Sequence, residues 1–268
     1  MPIKFCFETE NQTDYNFILK VGDDMRQDQV ILTMINILNK ILLHENIDLK
    51  LTPYKVIAIT PSIGLIEFIS SISVAEALSN FGTIQNYFRT KSPDPDNIDP
   101  EIMENYVKSC AGYSVITYLF GVGDRHLDNL LITPQGKLFH IDFSYILGRD
   151  PKPYPPPIKL STEMVDGMGG LNSKEFEYFL KLCTLAFIHL RRQSHTIINV
   201  FSLLVNSNLG EISAEPDKAV MKLFEKFRLD LDDVEAQSHL ITLIYDSHKA
   251  VFAPFVEKIH KLAQKWRQ

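Results

Sequence analysis

Three cysteines in 268 residues are too few and too scattered to staple a fold. Cys6, Cys110 and Cys183 lie far apart in apolar contexts. That pattern suits reduced core thiols and speaks against a disulfide framework or a cysteine-based zinc site. No apolar run reaches the roughly 18–20 residues needed to cross a bilayer, and the opening "MPIKFCFETE" lacks a signal-peptide pattern. Both absences point to a cytosolic chain. Internal repeats and low-complexity tracts are also missing. Positive charge is in deficit: 27 Lys and Arg against 33 Asp and Glu leave −6, which argues against a general nucleic-acid binder. The deficit is uneven, because residues 249–268 carry five basic residues and one acidic, a net +4 on a body of about −10.

What is present is a chain with 45% apolar residues, enough for one large domain or two lobes sharing a cleft. Phe5 to Phe7 and Tyr15 to Val21 read as a hairpin. "VGDDMRQDQ" turns the chain into an amphipathic helix, with Val30, Ile31, Met34, Ile35, Leu38, Ile41 and Leu42 at helical spacing. Tyr54 to Thr60 and Leu65 to Ser70 are short β-rich runs split by the turn signal "PSIG". From Ser73 the character becomes helical. Residues 92–100 form a loop by composition, and Glu101 to Phe120 is a mostly apolar helix. "LLIT" and "KLFHID" flank Pro134-Gln135-Gly136 as a short hairpin, and "GRDPKPYPPPIKL" holds five prolines that bar helix and inner strand. Further helices fall near 174–193, 195–208, 216–228, 232–248 and 250–266. The order is a β-rich lobe, a connector near Glu67–Ile69, and a helical lobe.

The densest chemistry lies in "GVGDRHLDNLLITPQGKLFHIDFSYILGRD", residues 121–150. The Asn129 amide oxygen and the Asp142 carboxylate are hard ligands suited to Mg²⁺, which keeps waters and substrate phosphates as its other ligands. A hairpin would bring the two to one end. Asp124 stands five residues before Asn129, the offset of the base in a protein-kinase catalytic loop, although the order here is Asp124-Arg125-His126. One of Asp124 and His126 can accept a hydroxyl proton while the other stabilises charge on the transferring phosphoryl; spacing leaves open which does which. A surface salt-bridge cluster at Asp-Arg-His is the competing reading. Lys20 ends the alternating strand "YNFILK", where it can reach nucleotide phosphates or be an ordinary edge lysine.

"GDRHLDN" followed by "HIDF" resembles the phosphatidylinositol 3- and 4-kinases and their protein-kinase relatives. "GDDMRQDQ", "LTPYKVIA", "YVKSCAGYSVITY", "GRDPKPYPPPIKL", "EMVDGMGG", "FRLDL" and "HKLAQKWRQ" are similar to class III phosphatidylinositol 3-kinase catalytic subunits, so the resemblance runs nearly end to end. It implies an α+β, bilobal, protein-kinase-like fold: residues 1–68 a small, truncated β-rich N-lobe, 69–248 a larger helical C-lobe, and 249–268 an amphipathic membrane-interacting helix. It implies ATP and Mg²⁺ or Mn²⁺ as cofactors, with Lys20 on the phosphates, Asp28 and Tyr54 in the inner pocket, and Glu67, Phe68 and Ile69 as the adenine hinge. It further implies phosphatidylinositol as substrate, a pseudokinase-like regulatory subunit and a Beclin-type subunit as partners, and a cytoplasmic protein peripheral on endosomal or autophagic membranes.

The resemblance implies that the stretch from Asp142 to about Leu160 is the acceptor loop that reads the lipid headgroup. Arg149 and Lys152 are its basic residues near the acceptor, and no basic run accompanies them. One phosphodiester headgroup therefore fits better than a bisphosphorylated inositide. In the C-terminal stretch, Phe255, Ile259, Leu262 and Trp266 interleave with Lys258, Lys261 and Lys265, the pattern of a basic helix lying in a membrane interface or docked on its own domain. Two departures stand out. Ser144 occupies the family's Gly position and is expected to stiffen the loop or bond locally. The strands and Ser-containing phosphate loop that precede "MPIKF" in the family are missing from the sequence, which implies either a fragment or truncated gene model, or a shorter protein with a weakened ATP grip. A catalytically weak membrane-associated binding module, a fragment, and a related 4-kinase or protein kinase are the competing readings.

Overall fold

The computed structural model describes residues 3–8, 14–153, 155–206, 213 and 215–247. It opens with β1 (Ile3–Glu8) and β2 (Asp14–Val21), followed by α1 (Arg26–His44), β3 (Val56–Thr60) and β4 (Ile63–Glu67). The four strands form an antiparallel sheet in the order β1-β2-β4-β3. Phe17 pairs with Phe5 on one side and Glu67 on the other, and a bulge between Ala58 and Thr60 kinks β3. This register sends Ile18, Lys20, Val56 and Ile66 to one face, where all four line a cavity. The opposite face carries Ile3, Phe5, Phe7 and Ile57, all exposed. Cys6 on β1 is also exposed, which corrects its reading as a core thiol; Cys110 and Cys183 are buried as expected. Period-2 alternation around Cys6 marks a strand but not which face is covered.

The helical lobe begins at β5 (Ile72–Ser73), α2 (Val74–Phe81) and α3 (Ile84–Lys91), then α4 (Pro100–Leu119). Capping defines these starts. The Ser73 and Thr83 hydroxyls accept the amides of Glu76 and Asn86, and Gly82 ends α2 at φ 76°. Asp99 caps α4, with Pro100 in its first turn. The long buried run of α4 includes Tyr106, Cys110, Ala111, Tyr113 and Ile116, so the helix is the axle of the lobe. The short strands β6 (Leu130–Ile132) and β7 (Leu138–His140) form the expected hairpin, and β5 adds to it as an edge that no sequence pattern announces.

The chain continues through α5 (Thr162–Gly167), α6 (Lys174–Arg192), α7 (Ser194–Val205), α8 (Pro216–Lys226) and α9 (Asp233–Asp246). α5 sits inside "EMVDGMGG", too short and glycine-rich for periodicity to reveal; Ser161 caps it by accepting the Met164 amide. α9 carries a complete capping box between Asp232 and Glu235. The proline-rich stretch before α5 forms neither helix nor strand at its described residues. α1 packs on β3 and also on α6 and α7, so one helix joins the lobes. Its Ile31, Met34, Ile35 and Leu38 are fully buried. The C-terminal helix expected at 250–266, with Phe255, Lys258, Ile259, Lys261, Leu262, Lys265 and Trp266, lies outside the described residues.

Candidate active site

Between the lobes lies a cavity of about 340 Å³. Ile18 and Val56 roof it, Leu131, Phe139 and Ile141 floor it, and Glu67, Phe68 and Ile69 form its back edge. Polar groups converge at one end: Lys20, Asp28, Asn129 and Asp142. A mostly apolar slot with a few polar groups at one end is the usual form of a small-molecule site. The residues expected from the sequence to face a nucleotide therefore do meet. Tyr54 also lines the cavity, edge-on to Phe139 at 5.9 Å.

The back edge is braced. The Glu67 carboxylate accepts the Tyr15 hydroxyl at 2.7 Å and the Lys55 amide at 2.8 Å. The Glu67 and Phe68 amides donate to the carbonyls of Lys55 and Asn16. Those two N–H groups are thus committed to the sheet, and a ring docking here must use other backbone atoms of the edge.

Asn129 and Asp142 are joined because the β6–β7 hairpin pairs Leu130 with His140, and the next rung runs from the Ile141 amide to the Asn129 carbonyl at 3.1 Å. Asn129 Nδ2 donates to the Asp124 carbonyl at 3.0 Å, which leaves its Oδ1 available as an acceptor or ligand. Asp142 stands at φ 62° and Asp124 at φ 50°, a conformation uncommon outside Gly, Asn and Asp. Ser144 bonds Asp142 Oδ1 twice, through its hydroxyl at 2.5 Å and its amide at 3.1 Å. Partial desolvation pushes the Asp142 carboxyl up, yet those Ser144 bonds, aided by Lys20 and Arg125, hold it below the usual carboxylate range. The local bond expected of Ser144 is present. One amide oxygen and one carboxylate suit a hard divalent ion whose remaining ligands are phosphates and water.

Asp28 is 5% exposed and accepts the Phe143 amide at 3.1 Å. Burial is the main cause that pushes its carboxyl up to about 6, with the Asp142 charge adding to it and the Phe143 amide and Lys20 opposing. Its neighbour Gln27 donates to the carbonyls of Phe143 and Ser144 at 2.6 and 3.0 Å. Two successive residues of α1 thus hold the Phe143–Ser144 backbone. Nothing in "MRQDQ" beyond its polarity flags Gln27.

Asp124 and His126 lie beside the cavity rather than in its wall. His126 is exposed, with Nδ1 3.5 Å from Asp128 Oδ2. The residue between them speaks against a surface ion cluster. Arg125 donates to the carbonyls of Gly123 at 2.8 Å, Ile141 at 2.7 Å and Asp142. Its guanidinium also sits 5.7 Å from the Phe143 ring centre. Burial pulls this guanidinium's pKa down, and the charges of Asp142 and Asp124 oppose that. Arg125 is therefore a clasp between the 123–126 segment and the backbone that carries Asp142.

A second clasp is made of main chain. The Gly123 amide donates to Tyr145, and the Leu147 and Gly148 amides donate to Phe120 and Gly121, all within 2.7–2.9 Å. A Cβ on Gly123 would collide with the Arg149 carbonyl, and one on Gly121 would stand 2.6 Å from the Gly148 nitrogen. The two glycines of "GVGD" exist for this approach. Asp150 extends it by accepting the Asp124 amide at 3.2 Å and the Lys159 ammonium at 2.9 Å. Its bond from the Lys152 amide, at 2.9 Å, is an Asx turn that an Asp two residues before a Lys in proline-rich sequence could have signalled. Arg149 and Lys152, the expected headgroup residues, flank Asp150 and are exposed.

A β-rich lobe over a helical lobe, with Lys, Asn and Asp meeting in the cleft, is the arrangement of a kinase-like nucleotide site. The chain belongs to the phosphatidylinositol 3- and 4-kinase family, whose model matches residues 14–214. It is 48% identical over 270 residues to the root isoform of phosphatidylinositol 3-kinase from Glycine max, covering 99% of this chain and 33% of that protein. It is 47% identical to phosphatidylinositol 3-kinase VPS34 of Arabidopsis thaliana, with the same coverage. To VPS34 of Saccharomyces cerevisiae it is 44% identical over 269 residues, covering 99% of this chain and 31% of the relative. The chain thus spans about a third of the length of these relatives.

Proposed function

We propose that this chain is the catalytic part of an ATP-dependent lipid kinase that transfers the γ-phosphate to the 3-hydroxyl of phosphatidylinositol. The observation that carries the reading is the convergence of Lys20, Asn129 and Asp142 at the polar end of one cavity, beside a catalytic loop that Arg125 clasps to the Asp142 backbone. In this reading the adenine lies in the apolar slot against the Glu67–Ile69 edge, and Lys20 meets the phosphates as a point charge. Asn129 Oδ1 and Asp142 would hold Mg²⁺ or Mn²⁺, which when bound neutralises phosphate charge and orients the terminal phosphoryl. Asp124 and His126 divide the two remaining tasks, proton acceptance from the inositol hydroxyl and stabilisation of the phosphoryl oxygens. Arg149 and Lys152 read the single phosphodiester of the headgroup. Residues 249–268, by their basic amphipathic pattern, would lie at the bilayer surface.

The relatives' names carry a 3-kinase rather than a 4-kinase or a protein kinase. The alternative of a catalytically weak binding module is not favoured, because the relatives are named as phosphatidylinositol 3-kinases and the Ser144 bonds leave the second Asp142 oxygen open. Association with a pseudokinase-like subunit and a Beclin-type subunit, and work on endosomal or autophagic membranes, belong to the same proposal. Among the described residues no helix is long and apolar enough to cross a membrane.

The test is radiolabelled ATP with phosphatidylinositol vesicles. Labelled phosphatidylinositol 3-phosphate should form, and Asp142→Ala should cut its formation by at least about 100-fold, the scale of losing one group that stabilises transition-state charge. Product labelled at another hydroxyl would refute the regiochemistry. Turnover that survives Asp142→Ala would refute the site.

A further inference from the structure

Asp150 and Lys159 bracket the proline-rich acceptor loop, and their side chains meet. Lys159 Nζ lies 2.9 Å from Asp150 Oδ2, and the two side chains are only 10% and 5% exposed. Few surface pairs are so covered, and long charged side chains are seldom buried unless paired. The same carboxylate accepts two backbone amides, from Asp124 in the catalytic loop and from Lys152 in the acceptor loop. Three donors from three places in the sequence thus converge on one group. Just beyond Lys159 the chain is anchored by Leu160, and just before it by Ile158, both buried in the core.

The arrangement has a mechanical meaning. Five prolines between positions 150 and 160 leave the loop few amides with which to hold itself, and its described residues form no regular structure. Its shape must come from what grips its ends. One end is Asp150 and the other Lys159, so their ion pair closes the neck. The Asp124 amide then ties that neck to a residue standing at φ 50°, a left-handed conformation that the bond helps to fix. Arg149 and Lys152 sit on either side of the same carboxylate.

We propose that Asp150 and Lys159 are positioning residues for the transfer: their pair closes the acceptor loop and, through the Asp124 amide, holds the headgroup-reading residues in register with the catalytic loop. Neither touches the reacting atoms. Neither lines the nucleotide cavity, so the pair acts on acceptor geometry and not on nucleotide binding. The proposal rests on the lipid-kinase reading for its consequences in turnover, but the physical coupling between the two loops can be measured without it.

The experiment uses the 268-residue chain with Lys159→Met, Lys159→Arg and the neutral pair Asp150→Asn with Lys159→Met. The neutral pair guards against a variant that fails to fold, because removing both buried charges is far milder than stranding one. Hydrogen exchange is followed in peptides covering 121–126 and 149–160. Phosphatidylinositol turnover and the Kd for a fluorescent ATP analogue are measured alongside. In Lys159→Met and in the neutral pair, exchange should rise in both peptides together. kcat should fall about 10- to 100-fold, the scale of an ångström-sized misplacement, while the nucleotide Kd stays within about twofold. Lys159→Arg should recover most of the loss. Exchange that rises only in 149–160, a kcat unchanged in a folded variant, or a nucleotide Kd that moves as much as kcat would overturn the proposal. A parent chain that makes no product would sink the lipid-kinase reading instead, and the joint rise in exchange would still decide the coupling.

Discussion

The two lobes hold their residues in opposite ways. In the helical lobe α4 is buried along most of its length, and Phe179, Phe187 and Phe201 are wholly inaccessible. In the β lobe one sheet face looks into the cleft while the other presents Ile3 at 53%, Phe7 at 52% and Ile57 at 49% exposure. The charged groups follow the same division. Arg125 donates to three backbone carbonyls and is largely enclosed, whereas Lys20 pairs with an exposed Asp23 at 3.0 Å. One lobe is a fixed anvil that sets Asn129, Asp142 and the 123–126 segment. The sheet of the other is a thinner plate that gives the site a loosely held cation and an apolar roof, while α1 beneath it adds the buried Asp28 carboxylate.

The sharpest test of that contrast is a pair of truncations. Phe187→Ala should cost about 3–5 kcal/mol, the usual loss for a buried phenylalanine, and Phe187 also gives up an edge contact with Tyr118 at 6.0 Å. Phe7→Ala, at an exposed position, should cost less than about 1 kcal/mol. Urea unfolding of both variants decides it. Comparable losses would mean that the outer sheet face is as tightly covered as the core.

Much of this contrast is legible in the sequence, and the remainder is not for definable reasons. Helical spacing finds the buried stripe of α1, and the Pro134-Gln135-Gly136 turn finds the β6–β7 hairpin and hence the meeting of Asn129 with Asp142. The cleft residues drawn from family resemblance line one cavity. What spacing cannot supply is the interaction of side chains with remote backbone. Arg125 reads as a possible surface charge because its carbonyl partners at Ile141 and Asp142 are 16 and 17 residues away. Asp150 and Lys159 read as loop residues because proline-rich sequence shows where structure stops and not what grips its ends. Cys6 reads as a core thiol because the alternation of a strand does not reveal which of its faces is covered.

A second pair of variants separates the lobes by pH, in the metal-free chain. His140 is fully buried with both ring nitrogens unpartnered, stacked 5.1 Å from Tyr113. Burial, helped by the Arg125 charge, pushes its pKa well below the ordinary histidine value. Its neutral form is therefore favoured in the fold, and the stability it permits is full above about 6.5 and lost as pH falls below that. Asp28 slopes the other way. Its carboxyl is raised from 3.8 to about 6, so the fold holds the proton more tightly than the unfolded chain. That stability is full below 3.8 and lost as pH rises through 6. Asp28→Asn should thus stabilise the chain at pH 8 by about 1–3 kcal/mol, the penalty of ionising a carboxyl whose pKa has risen that far, with the gain shrinking toward pH 4. His140→Phe should flatten the decline between pH 7 and 5. Thermal melts across pH 4–8 read both, and parallel profiles for the two variants would contradict the assignment.

Ser144→Gly is expected to be smaller. It removes a hydroxyl bond to Asp142 Oδ1 and frees that oxygen for a cation. A hydrogen bond to a charged group is worth about 1.5–3 kcal/mol net, and the residue-144 amide keeps its own bond to the same oxygen. The Mn²⁺ Kd, read by calorimetry with an ATP analogue, should tighten by up to about tenfold. An unchanged Kd would make the serine neutral for the metal.

The smallest effect belongs to the β lobe's own charge. Asp23→Asn releases Lys20 from its ion pair, at a cost to stability near zero because Asp23 is exposed and Lys20 only half-buried. Freed from Asp23, Lys20 should meet a nucleotide phosphate more readily, and the Kd for ATP should tighten by about two- to fivefold, the range of a surface pair worth under 1 kcal/mol. Adding about 0.5 M salt should erase the difference, since screening already weakens the native pair. The same charge removal made on the enclosed side, at Arg125, has no such mild outcome: Arg125→Gln leaves the carbonyls of Ile141 and Asp142 without their donor, and nucleotide-dependent turnover should collapse. If Asp23→Asn instead weakened ATP binding, Lys20 would be a fixed part of the site, and the plate would be as set as the anvil.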